Sequence, residues 1–195
     1  MRINELKFFA AACAVLGVGL MSATAGEVTV NFTFTADDVT VENVDGYQRL
    51  RLAEGLLPHD TPGTPWLPAR TVNILIPSGA EVTSMTVAGE EILFQEDVVV
   101  YPVQPPCPPS RPRPPFTQPL AAAYAMDVKT PVDLAVLGNT HTMRGYTFVS
   151  VRLNPMRAIP ARREVYLAES ISVTVTYNDP ATTPTVASRN LDVFA

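Results

Sequence analysis

Cysteine is nearly absent from this chain. Two occur in 195 residues, Cys13 and Cys107, and Cys13 lies within an N-terminal leader. With one cysteine remaining, the mature chain has no internal disulfide. Its stability must come from burying a core, for which roughly 170 residues suffice. Histidine is equally scarce: His59 and His141 make no recognisable ligand spacing with Cys107, so no metal site and no cofactor are expected. Basic excess is also lacking. The formal net charge is −5, whereas nucleic-acid binding calls for a basic surface. Beyond the leader no apolar run is long enough to cross a bilayer, and no segment sustains a helical period.

The leader itself is well marked. Arg2 and Lys7 give a charged start, Phe8 to Leu20 an apolar run, and Ala23-Thr24-Ala25 an A-x-A cleavage signal. These features predict a signal peptide over 1–25, cut between Ala25 and Gly26, and a secreted, periplasmic or cell-surface protein. A lipoprotein reading of Cys13 is set aside because too little apolar sequence precedes it.

What the mature chain does have is alternation. Val165, Leu167, Ile171, Val173, Val175 and Tyr177 share one face of a period-two run. Tyr166, Ala168, Ser170, Ser172, Thr174 and Thr176 share the other, as in a half-buried antiparallel strand. Glu169 interrupts the pattern, as a bulge or a strand end would. Further strands are expected at 27–35, 47–53, 70–76, 81–87 and 92–101, with a polar stretch after the first and Gly89 separating the last two. Pro77-Ser78-Gly79 is a turn signal. Between Pro102 and Pro119 nine of eighteen residues are proline, and proline cannot donate to a ladder, so this is an extended, polyproline-like arm. Residues 124–137 read as short and irregular, with Gly138-Asn139 leading into the final strand pair. The fold expected is all-β, an antiparallel β-sandwich over 26–178 with a proline-rich connecting arm, followed by a tail or linker over 179–195.

Several of these segments, in this order, carry a resemblance. Gly63-Thr64-Pro65-Trp66-Leu67-Pro68 precedes a strand closed by Ile76-Pro77-Ser78-Gly79. Pro102-Val103-Gln104-Pro105-Pro106 opens the arm, and Arg144-Gly145, Asn154-Pro155 and the V-x-V-x-Y strand follow. Together they resemble the N-terminal propeptide of the gingipain family of cysteine peptidases, over about Tyr47 to Tyr177. The resemblance implies a β-sandwich that keeps a caspase-like, Arg- or Lys-specific peptidase latent, assists its folding, and is then removed. No His-Gly plus Cys catalytic core occurs in these 195 residues, so the peptidase is expected in cis downstream or in trans. The alternative is a non-inhibitory adhesion or spacer module.

Each candidate residue has two readings. A pocket selecting Arg or Lys is blocked by a basic side chain held on a rigid loop. Lys129, in the irregular AMDVKTPVD segment, is the first choice on the expectation that it is exposed; Arg111 and Arg113, in the arm, are the alternatives. All three are otherwise solvated surface cations. Trp66 is a partner-binding anchor or a plug at the end of the core. Arg162-Arg163 is a dibasic processing site or an unremarkable strand start. Cys107 with His59 or His141 makes a nucleophile–base pair on paper, but Cys107 has no helix N-terminus to activate it. Asp37-Asp38 and Glu90-Glu91 read as solvated turn residues. Asn31-Phe32-Thr33 matches a glycosylation sequon by chance within a strand.

Overall fold

A computed structural model describes residues 25–58, 60–110, 112 and 114–178. The leader up to residue 24, the tail from residue 179, and His59, Arg111 and Arg113 lie outside the described residues. Nine strands are described: β1 (Ala25–Thr33), β2 (Val39–Val44), β3 (Tyr47–Leu52), β4 (Arg70–Ile76), β5 (Glu81–Gln95), β6 (Ala135–Met143), β7 (Tyr146–Leu153), β8 (Met156–Ile159) and β9 (Glu164–Asn178). One single-turn helix, α1 (Ala121–Tyr124), joins them.

The strand with the clearest alternation organises the fold. β9 pairs antiparallel with β5 along one side, and with β1 and β8 on the other. β7 is the centre of a second antiparallel sheet, between β4 and β6. β2 and β3 form a separate hairpin. Val165, Leu167, Ile171, Val173 and Val175 of the first sheet and Val149, Val151 and Leu153 of the second are almost fully buried. With Leu50 and Met156 they form one core, so the all-β, antiparallel layered fold read from alternation is the fold observed.

Glu169 is a bulge. Ser170 pairs with Glu90 while Ala168 pairs with Glu91, so Glu169 has no partner on β5. The extra residue lets Ala168 turn inward and become buried.

Four local expectations are corrected. The 81–101 region holds one long strand, β5, which ends at Gln95. Gly89 lies inside it because the backbone is crowded there: a Cβ would sit 2.6 Å from the Ser170 carbonyl oxygen and 3.0 Å from Leu134 Cδ1. The polar stretch after β1 contains β2, joined to β3 by Asp45-Gly46, both at positive φ, as in a type I′ turn. The end of the irregular 124–137 region is already β6, and Gly138-Asn139 is a register shift within that strand. Finally, Glu91 is a strand residue, its side chain only 14% exposed.

Candidate functional site

The proline-rich arm is closed at its base by a polar neck. Gln104 Nε2 donates to the Thr117 carbonyl at 3.0 Å, and the Thr117 N–H donates to Gln104 Oε1 at 2.8 Å. Gly63 and Val103 add backbone bonds where the arm leaves the G-T-P-W-L-P loop. Below the neck the aromatic rings of Tyr47, Tyr101 and Phe116 pack at 5.7–6.2 Å between centroids. Arg49 lies 4.3 Å over the Tyr101 ring. Trp66 is half-buried beside them, its ring 6.3 Å from that of Tyr101 and its Nε1–H donating to the Pro58 carbonyl at 2.7 Å. It lines a cleft of about 630 Å³ with Arg49, Arg51 and Phe116. Trp66 is thus neither wholly a core plug nor fully presented. Cys107 is exposed on the arm and His141 is exposed on β6.

Lys129 is not the exposed cation expected from its segment. Its Nζ lies 2.9 Å from Glu91 Oε2 and 3.9 Å from the centre of the Tyr166 ring, and its side chain is 29% exposed. The same carboxylate oxygen pairs with Arg157 at 3.3 Å, while Arg157 Nε donates to the Pro131 carbonyl at 2.9 Å. The correction has a physical cause. The irregular segment folds back over β5, β8 and β9, where a buried glutamate needs compensating charge. What looked like a presented residue ties its own segment down.

The other sequence-selected residues are equally engaged. Arg162 makes two hydrogen bonds to Asp127. They hold the Asp127 carboxyl below its ordinary range and raise Arg162. Arg163 stands at φ +57° and pairs with Asp97 at 3.0 Å. The dibasic pair therefore sits in a tight turn at the head of β9. Ala25 and Gly26 open β1 opposite Asn178 and Tyr177. Tyr124 donates its hydroxyl to the Val100 carbonyl, and burial raises its pKa. Among the described residues no cluster of His, Cys, Asp or Glu is arranged to hold a metal ion, and no helix is long and apolar enough to cross a membrane.

One residue stands apart. Nine basic side chains are described. Seven pair with carboxylates: Arg51 with Glu42, Arg70 with Glu54, Lys129 and Arg157 with Glu91, Arg152 with Asp60, Arg162 with Asp127, and Arg163 with Asp97. An eighth, Arg49, stacks on Tyr101. Arg144 alone has no partner among the described residues. It sits at the tip of the β6–β7 hairpin, between Met143 and Tyr146, each 61% exposed. Sequence reasoning read Arg144-Gly145 only as a motif, because nothing local distinguishes a paired arginine from an unpaired one.

Comparison with known proteins adds the following. The family model Propeptide_C25 matches residues 18–194. A solved complex of Porphyromonas gingivalis RgpB pro- and mature domains superposes with a TM-score of 0.65 at 20% identity, over 83% of this chain and 82% of that one. A structure bearing on the zymogenic latency of gingipain K from the same organism superposes with a TM-score of 0.59 at 19% identity, over 84% of this chain and 97% of that one. No curated protein sequence matches.

Proposed function

This chain belongs to the Propeptide_C25 family, the gingipain propeptides, and from that premise we propose that it keeps an Arg- or Lys-specific, caspase-like cysteine peptidase latent and assists its folding. As a propeptide domain it is not itself the catalytic unit. The observation that carries the proposal is the family match over nearly the whole length, joined to a fold shared with two gingipain prodomain structures. The leader adds export, with removal of the signal peptide before Gly26. The peptidase acts in cis downstream or in trans. The family match, and not any single structural feature, favours the latency reading over a spacer.

The test is direct. The chain is expressed with its leader, recovered outside the cytoplasm, and its N-terminus sequenced. It is then titrated into gingipain-type peptidases of Arg and of Lys specificity, and those peptidases are refolded with and without it. The expected results are a start at Gly26, inhibition with Kd at or below about 1 µM, and a higher yield of active peptidase on refolding. An intact Met1 sinks the export reading. Failure to bind or inhibit either class refutes the latency function, and an unchanged refolding yield removes the folding role.

A further inference from the structure

The geometry points to the cleft between β3, the G-T-P-W-L-P loop and the proline-rich arm as a binding site for an acidic peptide segment of a partner protein. Arg49 and Arg51 hold its carboxylates, and Trp66 and Phe116 hold its apolar side chains. The site does not rest on the latency reading, and its partner is defined by chemistry alone.

Charge is the first support. The protein has a formal net charge of −5, yet no residue lining this cleft is acidic and two are arginines. The reversal extends along the chain. The segments 47–53, 55–58, 63–68 and 101–119, which supply the walls, contain Arg49, Arg51, Arg111 and Arg113 and no aspartate or glutamate. Arg111 and Arg113 lie outside the described residues and contribute by sequence alone. Elsewhere the arginines are matched: Arg70, Arg152, Arg157, Arg162 and Arg163 each pair with a carboxylate.

The state of the two arginines in the cleft is the second support. Among the described residues Arg49 has no carboxylate, and its Nε is buried without a hydrogen-bond partner. It is held by the Tyr101 ring, 4.3 Å away. Stacking on an aromatic face leaves the in-plane N–H groups of a guanidinium uncommitted, and those edges grip a carboxylate bidentately. Arg51 does have a partner, Glu42 at 3.2 Å, but the two side chains are 53% and 42% exposed. An exposed pair of that kind contributes little, so an incoming carboxylate shares or displaces it at small cost.

The walls are preorganised. The Trp66 N–H donates to the Tyr101 carbonyl at 2.9 Å, the Val103 N–H to the Thr64 carbonyl at 2.8 Å, and the Tyr101 N–H to the Gln48 carbonyl at 2.8 Å. Loop, arm base and β3 are thereby laced together, which lowers the ordering cost of binding. The volume, about 630 Å³, suits a few peptide residues. Tryptophan, tyrosine and arginine are also the residues that dominate binding energy at protein interfaces. The proline-built wall disfavours phosphate as the occupant. Phosphate sites recruit backbone N–H groups, and Pro105 and Pro114, which line the cleft, have none. A peptide with aspartate or glutamate beside aromatic residues satisfies both the guanidinium edges and the rings.

The experiment titrates the full chain with a capped hexapeptide of alternating aspartate and phenylalanine. Binding is read from the fluorescence of Trp66, the single tryptophan of the chain, and by calorimetry. Comparison peptides replace aspartate by asparagine or phenylalanine by alanine, and inorganic phosphate is titrated separately. The expected Kd is about 100 µM or tighter, rising with salt as screened charges require. Arg49→Gln is expected to weaken binding at least tenfold, about 1.4 kcal/mol, and Arg51→Gln, an exposed site, about threefold. Arg162→Gln, whose side chain is not in the cleft, binds as wild type does. If Arg49→Gln lowers the melting temperature but leaves Kd unchanged, Arg49 only covers Tyr101 and the proposal fails. Equal binding by either comparison peptide overturns the site as drawn. Phosphate that displaces the peptide at similar concentration makes the cleft a general anion site and overturns the peptide assignment. If wild type fails to bind and a chain carrying Asp192→Asn with Phe194→Ala binds, the chain's own tail is the occupant and the partner assignment falls. Self-association lost in Arg49→Gln assigns the cleft to a second copy instead. Absence of binding by wild type and by the tail variant refutes the site outright.

Discussion

Replacing Glu91 by glutamine tests whether the ionic cluster fixes the 125–133 segment on the sandwich. The Glu91 side chain is 14% exposed and directs Oε2 at Lys129, 2.9 Å away, and at Arg157, 3.3 Å away. At an effective dielectric of about 20, each contact represents on the order of 5 kcal/mol of gross attraction. Desolvation of the three ions cancels most of it, and the measurable quantity is the cost of removing one partner. For fully buried pairs that cost is about 3–5 kcal/mol. Here it is smaller, because Lys129 keeps the Tyr166 ring and Arg157 keeps the Pro131 carbonyl. The amide gains little in return, since the other carboxylate oxygen, Oε1, is buried without a partner. We expect Glu91→Gln to cost about 2 kcal/mol, a fall in Tm of roughly 4–8 °C for a domain of this size. Urea unfolding at constant m measures it, and a double-mutant cycle with Lys129→Met should show coupling of about 1 kcal/mol. A loss below about 0.5 kcal/mol, or strict additivity, refutes the reasoning.

Two further predictions concern the sandwich itself. Val175 is fully buried on β9, and Val175→Ala should cost about 2–3 kcal/mol through lost burial and a residual void. Its neighbour Thr174 faces out and shares its hydroxyl with Thr29 at 2.8 Å, so Thr174→Val should change stability by no more than about 0.5 kcal/mol; equal costs in urea melts would mean the faces are misassigned. Asp38 accepts hydrogen bonds from the Thr35 N–H and hydroxyl, which lower its pKa from the ordinary 3.8. The folded value is the depressed one, so this stabilisation is present above the unfolded pKa and is lost as pH falls through the folded pKa. Asp38→Ala should therefore be less stable than wild type at pH 7, with the gap closing in strong acid; a gap independent of pH counts against the assignment.

Much of the scaffold was legible because a strand records burial in a one-dimensional pattern. Five of the six alternating residues of β9 are buried and Tyr177 is half-buried, while the interruption at Glu169 is a bulge that also turns Ala168, read as outward-facing, into the core. Legibility failed where one symbol serves two geometries. Gly89 and Gly138 resemble turn residues in sequence. In the fold they lie within strands, where a side chain would collide with Ser170 or Ser150 on the neighbouring strand. Asp45-Gly46 was a readable hairpin signal, but the few apolar residues of β2 hid the strand before it. Exposure was harder still. Lys129 and Glu91 are 38 residues apart in sequence, so nothing in the neighbourhood of either reveals that they neutralise each other.

That difficulty bears on how a binding surface is found in such a protein. An irregular, polar, proline-flanked segment is a fair place to look for a presented cation, and by that criterion Lys129 outranks Arg111 and Arg113 of the proline-rich arm. The criterion tests the backbone, whereas recognition depends on the state of the charge. A cation already paired with a carboxylate must break that pair before it enters another pocket, and the lost interaction subtracts from binding. An unpaired cation on a stiff turn incurs neither that loss nor much ordering entropy. Availability of a cation is therefore a tertiary property: Lys129 is held by Glu91 and the Tyr166 ring, and neither contact is visible in its own stretch of sequence.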